Sequence, residues 1–150
     1  MTRYLAVDPG EQHIGLAVSD PTGTVARPLE QIRHQSRTVD AALVAQIARE
    51  QEAEGIVVGL ATDSEGKVGP QGRKALRFAD ALREQTDLPV EMWDETGTSQ
   101  LAQQRQIQMN MRSKKRKGLL DSMAAVAILQ GYLEYRRQMR DGLQEGADES

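Results

Sequence analysis

The chain has no cysteine. That excludes disulfides, thiolate metal sites and a cysteine nucleophile. Aromatic residues are also scarce, at 3%. The core must therefore be built mainly from Leu, Ile, Val and Ala, and a base-stacking surface of the kind used by single-strand-binding barrels is not expected. No run approaches the ~18 apolar residues of a membrane span. Met1-Thr2-Arg3 leads into a strand pattern rather than a signal peptide, so a cytoplasmic protein without a membrane partner is expected. Internal repeats and linker-like stretches are lacking as well.

What is present describes an ordinary globular domain. The 150 residues are 39% hydrophobic and include 13 glycines, enough for one domain with a real core. The net charge is −3, but it is unevenly spread. Asp141–Ser150 holds four acids and no base, more than the whole negative balance, and reads as a disordered tail on a domain spanning residues 1–140. Arg105–Lys117 is the reverse, with Arg105, Arg112, Lys114, Lys115, Arg116 and Lys117 and no acid. By composition that segment is either a solvated loop or a grip for phosphates.

The periodicity predicts an initial strand cluster and then a strand-helix rhythm. Arg3–Asp8 and Ile14–Ser19 read as an antiparallel hairpin. Val25–Ile32 is a weaker third strand that Pro28 assigns to an edge or a bulge. Thr38–Glu52 is a helix with Val39, Leu43 and Ile47 on one face. Gly55–Leu60 is a continuous apolar run suited to a strand covered on both sides. After a polar loop, Pro70 opens a helix with Ala75, Phe78, Ala79 and Leu82 as its stripe. Leu88–Trp93 is the last strand. Thr98 or Ser99 caps a short helix to about Ile107, and a final helix covers Leu119 to about Arg140. The sum is an α/β fold: a five-stranded mixed sheet, three antiparallel strands then two parallel, with helices on both faces.

Three acidic signals stand out. Asp8 ends the first apolar run, where rigid strands would hold a carboxylate for a metal ion. Asp94-Glu95 directly follow an apolar strand, at the end where open α/β sheets place ligands. Asp121 opens the last helix just after the basic segment. Each also has a plain structural explanation, as a turn former or as an acid favoured by the helix dipole. Carboxylates that converge without a lysine or arginine between them require a cation. Oxygen ligands without cysteine select Mg²⁺ or Mn²⁺ over zinc.

Four segments in order carry a resemblance: Ala6-Val7-Asp8-Pro9-Gly10 with Ile14–Asp20; Ile56–Leu60 with Gly69-Pro70-Gln71; Trp93-Asp94-Glu95-Thr96 with Thr98-Ser99; and Arg116–Gln130. Together they resemble the YqgF (RuvX) nuclease family, bacterial relatives of the Holliday-junction resolvases with a ribonuclease H-like fold. The resemblance implies Asp8, Glu95 and Asp121 as catalytic residues and metal ligands, with two Mg²⁺ or Mn²⁺ ions and no covalent nucleophile. Arg112, Lys114, Lys115, Arg116 and Lys117 would then hold phosphates of a structured nucleic acid, giving affinity without sequence preference.

The implied function is endonucleolytic processing of the 5′ end of pre-16S ribosomal RNA. Cleavage of four-way DNA junctions is the alternative, and symmetric cutting would require a homodimer. A non-cleaving nucleic-acid-binding module is the third reading. An actin-like ATPase is disfavoured, because its nucleotide cleft needs a second domain. The sequence departs from the family at Thr96-Gly97, where Arg-Leu is usual, and at Ala61-Thr62, where Pro-Leu is usual. His13, Asp20 and Asp63 are expected in turns, Asp94 in a structural role, and Trp93 in the core.

Overall fold

The computed structural model describes residues 3–60, 65–94 and 116–148, with the side chains of residues 116–122 and 142–148 outside that description. In chain order the elements are β1 (Tyr4–Pro9), β2 (His13–Ser19), β3 (Ala26–Arg33), α1 (Arg37–Glu50), β4 (Gly55–Leu60), α2 (Pro70–Gln85), β5 (Val90–Asp94) and α3 (Arg116–Asp148). The five described strands form one sheet in the order β3-β2-β1-β4-β5. β1 pairs antiparallel with β2, and β2 with β3, while β1/β4 and β4/β5 are parallel. The mixed sheet expected from the sequence is the one observed.

Alternation along β1 divides the core. Leu5 and Val7 join Ile56 and Val58 of β4 under α1 and α2, packed on Val44, Phe78 and Leu82. Tyr4 and Ala6 join Val57 on the other side, under Ala125, Ile128, Leu129 and Tyr132 of α3. β4 is apolar at every position because helices cover both of its faces. β3 is the edge strand that Pro28 requires, with Pro28 opposite Ala17 and a register shift between Ile14 and Leu16.

The few aromatics are concentrated. Of the single Trp, single Phe and three Tyr in the chain, four meet on the α3 side. Tyr132 stands edge-on to Tyr4 and to Trp93, with ring centroids 5.4 and 5.8 Å away, and Tyr135 lies 5.4 Å from Trp93. Such pairs add about 0.5–1.5 kcal/mol each beyond area burial. Trp93 is therefore part of the core packing, as expected.

Three expectations are corrected. The buried face of α1 is Asp40, Ala41, Val44, Ala45 and Ala48, whereas Val39 is 42% exposed. The alanines let α1 approach α2 closely, and the helix is turned so that this small-residue face is the buried one. β5 covers Val90–Asp94 rather than Leu88–Trp93. α3 begins at Arg116, before Leu119, and runs to Asp148, past the end expected near Arg140. Leu143, Gln144, Glu145 and Ala147 are all good helix formers, and the intervening glycines weaken a helix without terminating it. The short helix expected after Thr98, together with Arg105 and Asp63, lies outside the described residues.

Candidate active site at the carboxyl edge of the sheet

Asp8 continues the Tyr4–Ala6 alternation, so it belongs to the α3 side of the sheet. The register pairs Val7 with Val58 and Gly59 with Trp93. Asp8, Gly59 and Trp93 therefore stand at one level on three adjacent strands, at the carboxyl ends of β1 and β4. The turn after Asp8 is tight. Gly10 N–H donates to the His13 carbonyl at 3.1 Å, and a Cβ on Gly10 would come 2.4 Å from that oxygen. Only glycine fits there. His13 is the first residue of β2, opposite Arg33, rather than a free turn residue.

The direction of α3 decides where Asp121 can act. Ile128 packs on Gly59, whose Cβ would lie 2.4 Å from Ile128 Cδ1, and Tyr132, one turn later, packs on Tyr4 at the start of β1. α3 therefore runs from the carboxyl edge of the sheet towards its amino edge. Position 121 precedes Ala125 by one turn and Ile128 by two, about 10 Å along the axis. It belongs to the Asp8 end of the sheet, well inside the helix rather than at its opening.

Of the expected triad, only the Asp8 side chain is described. Glu95 lies outside the described residues, as do Arg112, Lys114 and Lys115 and the side chains of Asp121, Arg116 and Lys117. By position, Arg116 and Lys117 form the first turn of α3 and not a loop. Asp94 is exposed, opposite Leu60, and alternation sets it on the side of Met92, away from Asp8. Among the described residues no three His, Asp or Glu side chains gather closely enough to hold a metal ion. The expected donor set is all carboxylate, which suits a hard divalent cation.

The sequence reading missed the other side of the same edge. His34 Nδ1 is hydrogen-bonded to Asp40, whose carboxylate is 1% exposed and also accepts the Gln35 N–H at 3.0 Å. The His34 N–H donates to the Gln12 carbonyl at 2.8 Å. Ser36 caps α1 by accepting from Val39 N–H. Gln71 Nε2, in the first turn of α2, donates to Glu11 Oε1 at 2.7 Å. These contacts tie the β1–β2 turn to both helices and enclose a cleft of about 210 Å³ beside Pro9 and Gly10. The pattern had no local signal, because each pair is distant in sequence or hidden in a helix cap.

Two other polar groups are structural. Asp20 is held down to about 2 by the Thr22 hydroxyl first, then by the N–H groups of Val25 and Thr24. That is the turn role expected of it. At the amino edge, burial, then a hydrogen bond to Glu91, pushes the Tyr132 hydroxyl up to about 12. Arg136 lies over the Tyr4 ring, 5.0 Å from its centroid, and donates to Tyr132 Oη.

Comparison with known proteins agrees with this architecture. The RuvX family, described as Holliday junction resolvase, matches residues 2–135. A Desulforamulus reducens protein named "Putative pre-16S rRNA nuclease" is 42% identical over 132 residues, covering 88% of this chain and 96% of that protein. A Thermoanaerobacter pseudethanolicus protein of the same name is 39% identical over 136 residues, covering 90% and 98%. Among solved structures, Thermus thermophilus RuvC in complex with a Holliday junction substrate superposes with a TM-score of 0.57 at 16% identity, covering 92% of this chain and 97% of that one. The fowlpox virus Holliday junction resolvase gives 0.54 at 12%, covering 89% and 99%. These likenesses at low identity establish the ribonuclease H-like fold. With the family match spanning nearly its whole length, the chain belongs to the RuvX family.

Proposed function

We propose that the protein is a divalent-metal-dependent endonuclease that processes the 5′ end of pre-16S ribosomal RNA. One observation carries the reading: Asp8 stands at the carboxyl edge of the central strand, on the side and at the end where α3 brings position 121. Asp8, Glu95 and Asp121 are the residues that would hold the metal, Mg²⁺ or Mn²⁺. Such ions activate a water and stabilise the leaving oxygen of a phosphodiester. The chain's own contribution is to hold acidic oxygens on rigid elements, with Gly10 keeping the turn that follows Asp8 tight. The basic residues Arg112, Lys114, Lys115, Arg116 and Lys117 would hold flanking phosphates. The names of the relatives from Desulforamulus reducens and Thermoanaerobacter pseudethanolicus support ribosomal RNA as the substrate.

The second reading is cleavage of four-way DNA junctions, which the family's description favours. It requires a homodimer with two sites related by a two-fold axis. A side-by-side assay with Mg²⁺ or Mn²⁺ separates the two, using an RNA carrying the 16S 5′ precursor and a synthetic four-way junction. RNA cleavage that is lost in Asp8→Asn is the expected result. Paired symmetric nicks in the junction alone would replace the first reading by the second, and full cleavage by Asp8→Asn would end both.

A further inference from the structure

The cleft beside Gly10 has the features of a nucleotide subsite. Its floor is apolar, made by Pro9, Ile14 and the 5% exposed Phe78. Its walls carry Arg37, the first residue of α1, and Lys74 of α2. Both cations are exposed, and neither is in an ion pair among the described residues. The acids lining the cleft are already engaged: Asp40 with His34 and Gln35, and Glu11 with Gln71. Two cations with no acidic partner thus face a partly apolar hollow of about 210 Å³.

The walls are fixed in advance. Buried Asp40 locks His34 at the end of β3 to the first turn of α1, and Ser36 caps that same turn. Arg37 therefore projects from a tethered helix start, and less ordering is required when an anion arrives. The hollow begins at Pro9, immediately after Asp8 but on the opposite side of the sheet, because alternation puts Pro9 with Leu5 and Val7. A strand with its reacting phosphate at Asp8 would cross the sheet's carboxyl edge at the Pro9-Gly10 turn and descend into this cleft.

We propose that the cleft binds one nucleotide of the single-stranded RNA beside the cleaved phosphodiester. Its base lies over Pro9 and Phe78, and its phosphate lies between Arg37 and Lys74. The inference rests on the reading of this edge as the nucleic-acid site, and it adds residues outside the basic segment Arg105–Lys117.

The test is fluorescence anisotropy with a labelled single-stranded RNA in EDTA, so that binding is read without cleavage. The double variant Arg37→Gln/Lys74→Gln should raise Kd about tenfold at low salt. It should also flatten the slope of log K against log [salt] by about 0.7, the value for one neutralised phosphate of a single strand. Arg49→Gln, an exposed change in the last turn of α1 away from the cleft, should alter Kd less than about twofold. RNA bearing 4-thiouridine should cross-link to the segments around residues 9–14 and 74–78. A double variant that binds like the parent, a loss equalled by Arg49→Gln, or cross-links confined to α3 would overturn the subsite. The nuclease reading is tested separately: if the parent protein cleaves no RNA with Mg²⁺ or Mn²⁺ while the double variant loses binding, the subsite stands and that reading falls.

Discussion

Ile128 of α3 rests directly on Gly59 of β4, with no room for a methyl group between them: a Cβ on Gly59 would come 2.4 Å from Ile128 Cδ1 and 3.1 Å from Cγ1. Gly59 stands beside Asp8 at the same level of the sheet. The contact therefore sets the distance between the strand that carries Asp8 and the helix that carries Asp121.

Gly59→Ala should overpack this contact and destabilise the protein by about 1–3 kcal/mol. Ile128→Val removes the offending Cδ1 and alone should cost about 0.5–1.5 kcal/mol. The double variant should lose less than the sum of the two, as measured by urea unfolding in a double-mutant cycle. Additive losses would mean that α3 does not press on Gly59.

Asp8→Asn should reduce cleavage by at least about a hundredfold. A metal centre supplies several kcal/mol of transition-state stabilisation, and each 1.36 kcal/mol is a factor of ten. Stability should change far less than activity. A thermal melt beside the cleavage assay separates the two effects.

Removal of divalent ions with EDTA should abolish cleavage, and Mg²⁺ or Mn²⁺ should restore it. An all-oxygen donor set has no thiolate or imidazole to favour zinc. Restoration by zinc as strong as that by Mn²⁺ would contradict the proposed ligands.

Tyr132 makes stability sensitive to alkali. Its hydroxyl is raised to about 12, by burial first and by the bond to Glu91 second, whereas an unfolded tyrosine titrates near 10. The folded state thus keeps a proton that the unfolded state releases. This stabilisation is fully present below about pH 10 and is lost as pH rises from about 10 to 12. Tyr4, raised mainly by burial, adds in the same direction. Tyr132→Phe should make the decline above pH 10 shallower in denaturant titrations. An unchanged profile would refute the assignment.

His34→Ala should leave the buried Asp40 carboxylate with the Gln35 N–H and without its imidazole partner. The expected loss is about 1–3 kcal/mol, the cost of a buried group deprived of a hydrogen bond. Asp40→Asn should cost less than His34→Ala, since the amide is neutral and its oxygen can still accept from Gln35 N–H. Denaturant midpoints of the two variants decide the order.

Much of the fold was legible because its signals are local. The unbroken apolar run Gly55–Leu60 announced a strand covered on both sides. Pro28 announced an edge strand, and Pro70 the start of α2. The rotation of α1 was hidden: Val39, Leu43 and Ile47 make the more obvious stripe, yet the buried face is made of Val44, alanines and a satisfied Asp40. Hydrophobic spacing measures which residues are apolar, while the buried face depends on how closely the helix can approach. Asp8 was legible from its place between a strand and a glycine turn. The His34–Asp40 and Gln71–Glu11 pairs were not, because nothing in either local sequence requires its partner.

The sequence alone determined the order of elements, the apolar core and the placing of Asp8 at the end of a strand, since these follow from periodicity and turn chemistry within short windows. The tertiary structure decided which side of the sheet Asp8 belongs to, that α3 runs with its start at the Asp8 edge, and that a cleft lined by Arg37 and Lys74 opens beside Gly10. Those facts arise from packing between segments far apart in the chain. Alternation sets the side of each strand residue, but only the fit of Ile128 on Gly59 and Tyr132 on Tyr4 orients the helix above them.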